Sequence, residues 1–164
     1  MILKKGNTDD ISNIFDRISK EWFLLTAGNK DSYNTMTASW GQMGVLWGKK
    51  VATAYVRPER YTYKFMNESD YYTLCFFDED KRDILKYCGA KSGRNVNKAK
   101  ECSLTPNFSA AAPFFEEARL VIFCKKEYAQ AMNEESFVDK DNLRWYKGDY
   151  HNMIFGKIEK ILTK

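Results

Sequence analysis

The chain of 164 residues carries 26 basic and 22 acidic side chains, for a net charge of +4. That length suits one domain, 1–164, with a core that needs no staples. The small charge excess is spread out, not gathered into the one-sided basic stripe that a nucleic-acid partner requires, and no apolar run approaches a membrane span. The basic run Lys91 to Lys100 reads as a solvated helix face. Met1 to Asp10 is too polar for a signal peptide, so the cytoplasm is the expected compartment. Cys75, Cys88, Cys102 and Cys124 are widely and irregularly spaced with no C-x-x-C pair, which argues for reduced thiols and against zinc. Cys75 and Cys124 fall inside apolar runs and read as core. The single histidine, His151, rules out a histidine metal cluster, so no metal is expected. There is no nucleophile elbow, no phosphate loop and no G-x-G-x-x-G fingerprint.

In chain order, Ile11, Ile14, Phe15 and Ile18 have helical spacing, with Asp9 or Asp10 as the cap. A strand is predicted from Trp22 to Thr26, a polar turn over Ala27–Asn34, and a partner strand from Thr35 with Met36, Ala38 and Trp40 on one face. Gly41 to Gly48 reads as a loop carrying Val45, Leu46 and Trp47. Val51–Val56 is a strong strand, and Glu59–Asn67 is a short helix that starts beside Pro58. Tyr71–Phe77 is a strand, Glu79–Tyr87 a helix, and Asn95–Glu101 a second helical stretch after the break at Ser92 and Gly93. Pro106–Pro113 is a loop. Ala118–Tyr128 is a long strand whose continuous run Leu120, Val121, Ile122, Phe123 suits burial on both faces. Ser136–Arg144 is irregular, and His151–Leu162 closes the chain as a strand. About six strands with short helices between them, and no long crossover helices, predict a mainly β fold: an antiparallel barrel with inserted helices.

Three segments carry candidate chemistry. In Asn34-Thr35-Met36-Thr37-Ala38-Ser39-Trp40, small polar residues let backbone N–H groups and hydroxyls approach a flat heterocycle; an ordinary strand with a hairpin asparagine would look the same. In Tyr55-Val56-Arg57-Pro58-Glu59-Arg60-Tyr61-Thr62, a strand ends and a helix opens. Its free N–H groups, partial positive charge and arginines suit a phosphate, although a capped surface helix with two solvated arginines is the plainer reading. The third is Lys91-Ser92-Gly93-Arg94-Asn95-Val96-Asn97-Lys98.

Together, and in this order, these segments resemble the flavin reductase-like FMN-binding family, and Gly148-Asp149-Tyr150-His151 before the last strand adds to the likeness. Relatives often place an acid where this chain has Asn95 or Asn97; asparagine still caps a helix well. The resemblance implies an antiparallel, Greek-key-like split β-barrel, FMN held without a covalent bond, and a homodimer. It places the cofactor against Asn34, Thr35, Met36, Thr37, Ala38, Ser39, Trp40, Tyr55, Val56, Arg57, Arg60, Tyr61 and Thr62. The phosphate side falls on Lys91, Ser92 and Arg94, with His151 near the flavin. No side chain is assigned as catalytic, because the bound flavin carries the chemistry. The implied activity is an NAD(P)H-dependent flavin or ferric reductase, with the nicotinamide stacking transiently on the open flavin face. The alternative is a flavoredoxin-type carrier that takes electrons from a redox partner protein. An oligonucleotide-binding barrel that uses its aromatics for stacking is a third possibility.

Overall fold

The computed structural model describes residues 2–164. The chain opens with a two-residue strand, β1 (Lys4–Lys5), and a helical turn, α1 (Ile14–Asp16), that widens into a π turn over Arg17–Glu21. The helix expected around Ile11–Ile18 is therefore split. Asn7 caps a separate turn over Thr8–Asp10, which takes up both candidate caps, and Asn13 enters α1 with φ of 48° and no side-chain cap.

Strand β2 (Phe23–Gly28) pairs with β3 (Tyr33–Ala38) through a turn shorter than expected. Asn29 Oδ1 closes that turn by accepting from the Asp31 and Ser32 amides at 2.9 and 3.1 Å. Residues 41–48, expected as a loop, instead form β4 (Gly41–Leu46) and a tight turn into β5 (Lys49–Val56). Trp47 and Gly48 both have positive φ, 52° and 67°, as a two-residue hairpin turn of matching twist requires. Two glycines and the lack of any fully buried side chain hid β4 from a periodicity reading.

After Pro58 come α2 (Tyr61–Glu68), β6 (Tyr71–Phe76), α3 (Arg82–Ala90) and α4 (Lys98–Glu101), the last capped by the Asn97 side chain. A small ribbon, β7 (Pro106–Asn107) with β8 (Phe114–Phe115), precedes the two long strands β9 (Leu120–Ala131) and β10 (Asn152–Thr163).

Every pairing is antiparallel, in the order β3-β2-β6-β9-β10-β5-β4, with β1 added beside β10. The two ends of this path, β3 and β4, are joined only by Ser39 and Trp40, so the sheet rolls up and stays split at that seam. Side-chain alternation divides the core in two. Phe23, Leu25, Tyr72, Leu74, Phe76, Ile122 and Ile154 fill the inside of the roll. Leu24, Cys75, Val121 and Phe123 point outward and are covered by Leu85 and Cys88 of α3, together with Phe114 and Phe115. Strand β9 is thus buried on both faces over its first half, as its continuous apolar run predicts. Each such side chain contributes roughly 1.5–3 kcal/mol on burial. Inside, the Tyr72 hydroxyl donates toward the Ala52 and Ile154 carbonyls at 2.8 and 3.2 Å. It fits because residue 156 is glycine: a Cβ there would fall 2.4 Å from the Tyr72 oxygen.

Candidate functional site

A cleft of about 340 Å³ opens between β3, the start of α2 and the loop after α3. Met36, Thr37 and Arg60 are shared with an adjoining hollow of about 280 Å³, which continues along the seam to Ala38, Ser39, Trp40, Tyr55, Arg57 and His151. The two form one trough with different ends.

One end is cationic. Arg60, Lys91, Arg94 and Lys98 line it against one acid, Glu59. Arg60 precedes α2 in extended conformation and is half exposed, with only a long 3.9 Å pairing to Glu59. Arg94 lies over the Tyr61 ring at 4.9 Å and donates to the Glu59 carbonyl at 3.2 Å, which sets it beside the helix start. Among the described residues the Tyr61 and Thr62 amides have no backbone acceptor, so the first turn of α2 presents free donors. Lys98 is buried, its ammonium donating to the Thr35 and Cys88 carbonyls at 2.8 and 2.7 Å. Burial lowers its pKa. Far from being one more solvated charge of the 91–100 run, Lys98 ties β3 to α3 beneath the cleft.

The floor is packed closely. Asn34 Nδ2 donates to Thr62 Oγ1 at 2.8 Å, and both residues are buried. Gly93 presses on Asn34 so tightly that an added Cβ would lie 1.9 Å from Asn34 Oδ1. Only glycine lets the 91–94 loop close over β3.

The other end is aromatic, and Arg57, its one cation besides the shared Arg60, is paired with Asp149. His151 stacks obliquely with Trp40, centroids 5.2 Å apart, and meets Tyr55 edge-on at 6.3 Å. Its Nδ1 shares a 2.9 Å hydrogen bond with the Tyr146 hydroxyl. Burial, assisted by the nearby Arg57 charge, holds its pKa down to about 4, so the ring is neutral at physiological pH. Trp145 meets Trp40 at 5.6 Å and extends this wall.

Most of the sequence-predicted residues line this trough: Asn34, Met36, Thr37, Ala38, Ser39, Trp40, Tyr55, Arg57, Arg60, Tyr61, Thr62, Lys91, Ser92, Arg94 and His151. Two do not. Val56 is fully buried in the barrel core, and the Thr35 hydroxyl faces inward to Thr26 Oγ1 at 2.8 Å. Arg57 lines the aromatic hollow, yet its guanidinium is taken up by Asp149 and the Trp145 carbonyl. The sequence reading missed Lys98, Trp145 and Tyr146. Lys98 was hidden in a charge run, and Trp145 and Tyr146 in a stretch without periodicity.

The chain belongs to the flavin reductase-like domain family, whose model matches residues 15–164. No curated protein sequence matches it. Among solved structures, the flavoredoxin of Desulfovibrio vulgaris (Miyazaki F) superposes with a TM-score of 0.68 at 20% identity, covering 87% of this chain and 69% of that one. A flavoredoxin from Methanosarcina acetivorans gives 0.69 at 19%, covering 88% and 68%. An FMN-binding domain of a flavin reductase-like enzyme from Shewanella baltica OS155 gives 0.69 at 13%, covering 98% and 76%. The split-barrel fold is that of these proteins. Family membership supports a flavin cofactor, and the donor set fits one: free amides and four cations against a single acid at one end, backbone and rings at the other.

Proposed function

We propose that each chain, acting as the single domain 1–164, binds one FMN in the trough and passes electrons through it as an NAD(P)H-dependent flavin or ferric reductase. The observation that carries this reading is the polarity of the trough. A phosphate seeks cationic donors and a free helix start, while a flat heterocycle seeks uncharged backbone and aromatic rings. Arg60, Lys91, Ser92 and Arg94, with the Tyr61 and Thr62 amides, would hold the phosphate. Residues 34–40 and Tyr55 would line the ring, and neutral His151 would close its far end without adding charge. Bound there, FMN would supply the redox chemistry through its isoalloxazine ring. The protein's own part is to bind, orient and exclude water. The working unit is read as a cytoplasmic homodimer, supported by the exposed Val45 and Trp47 on the β4–β5 hairpin. Rapid mixing of NADH and of NADPH with FMN-loaded protein tests the activity: bleaching of the flavin by either one supports the reductase reading.

A second reading, an FMN electron carrier without its own nicotinamide turnover, is favoured by the likeness to two flavoredoxin structures and by the lack of a dinucleotide fingerprint. No bleaching by either nicotinamide would select it.

A further inference from the structure

Arg57, after the last residue of β5, spends its donors inside the molecule. One Nη pairs with Asp149, and the other donates to the Trp145 carbonyl at 2.8 Å. Its guanidinium lies 5.2 Å from the Tyr146 ring centroid. All three partners belong to one loop, residues 145–149. That loop begins at the last residue of the 3₁₀ turn Lys140–Trp145, itself preceded by a turn over Glu134–Ser136, and it has no strand pairing among the described residues. It carries its own aromatic cluster, in which Tyr146 packs on Phe137 and Tyr150 at 5.7 and 5.1 Å. A charge-assisted, forked contact is the strongest kind available to anchor such a loop. The same loop supplies Trp145 to Trp40 and Tyr146 to His151.

We propose that Arg57 is a positioning residue: it clamps residues 145–149 so that Trp145 and Tyr146 brace Trp40 and His151, the aromatic wall of the trough, and this braced wall selects the flat aromatic electron donor that enters the trough. The selection half rests on the flavin reading above; the clamp does not. An arginine serving the phosphate would keep free donors toward Arg60 and the α2 amides, whereas Arg57 has its fork committed to Asp149 and Trp145.

His151 is the chain's single histidine, so its imidazole proton resonance reports this wall in flavin-free protein. The groups facing it are Trp40, Tyr55 and Tyr146, with the charges of Arg57, Arg60 and Asp149 nearby. In the intact protein burial holds its pKa down to about 4. Arg57→Ala should move that titration toward the ordinary value of about 6.5, both by releasing the wall and by removing the Arg57 charge that itself lowers it, while FMN affinity, read by flavin fluorescence, changes by less than about threefold. The KM for the nicotinamide should change by about tenfold, with a smaller effect on kcat. Arg57→Lys keeps the charge without the fork, so its shift, smaller and of the same sign, isolates release of the wall and decides the matter. An unmoved His151 titration in Arg57→Lys overturns the clamp. FMN loosened about tenfold or more would make Arg57 a phosphate ligand and overturns the proposal whatever His151 does. An unchanged KM overturns the selection half. If the intact protein takes up no FMN, the flavin reading and the selection half fall together, and the His151 titration still decides the clamp.

Discussion

Gly93→Ala perturbs the tightest contact in the trough. Its new Cβ would fall 1.9 Å from Asn34 Oδ1 and 2.8 Å from Asn34 Cγ, so the asparagine has to rotate away. Rotation breaks the 2.8 Å hydrogen bond from Asn34 Nδ2 to Thr62 Oγ1. Both partners are buried, so water replaces that bond poorly. Leaving a buried polar group unpaired costs about 1–3 kcal/mol, and the unfolding free energy should fall by about that amount. Urea titration measures it, with an unchanged slope showing that the folded and unfolded states keep their compactness. A double-mutant cycle isolates the cause. Asn34→Ala removes the bond by itself, and in that background the Cβ at 93 has no amide to strike. The additional loss from Gly93→Ala should then be under about 0.5 kcal/mol. Equal losses in the two backgrounds would refute the close packing of the 91–94 loop on β3.

Arg60→Ala should weaken FMN by about 10-fold to 100-fold through one lost charge-assisted contact, and calorimetry should show it approaching the affinity for riboflavin; an unchanged FMN affinity would place Arg60 in solvent. The His151 shift makes stability depend on pH. Its pKa lies near 4 folded and near 6.5 unfolded, so between these values the unfolded chain binds more protons, and stability falls as pH drops from about 6.5 toward 4. With a discount for the ring's contact with the watery trough, the loss is about 1–2 kcal/mol. His151→Gln should flatten that part of the curve, and a curve of unaltered shape would contradict the buried neutral ring.

The sequence displayed much of this fold because period-two alternation and apolar runs survive in strands packed on both faces. The stretch from Leu120 to Phe123 is the clearest case. Strand β4 was illegible for the opposite reason. With two glycines and a half-exposed face it carries no hydrophobic period, and a bulky Trp47 stands where a tight turn usually shows asparagine or glycine. The cationic end of the trough was readable from Arg60, Ser92 and Arg94, since arginine beside a helix start has a definite chemical meaning. The roles of Thr35, Val56, Arg57 and Lys98 were not. Which face a side chain takes, or which carbonyl a lysine reaches, depends on register between segments far apart in sequence. Lys98, for example, bonds the Thr35 carbonyl 63 positions away.

Flavin content tests the central claim most directly. Purified protein, reconstituted with excess FMN and freed of unbound ligand, should be yellow and release about one FMN per chain on denaturation. A protein that stays colourless after reconstitution, while its folding is intact by circular dichroism, would contradict a flavin site in this trough.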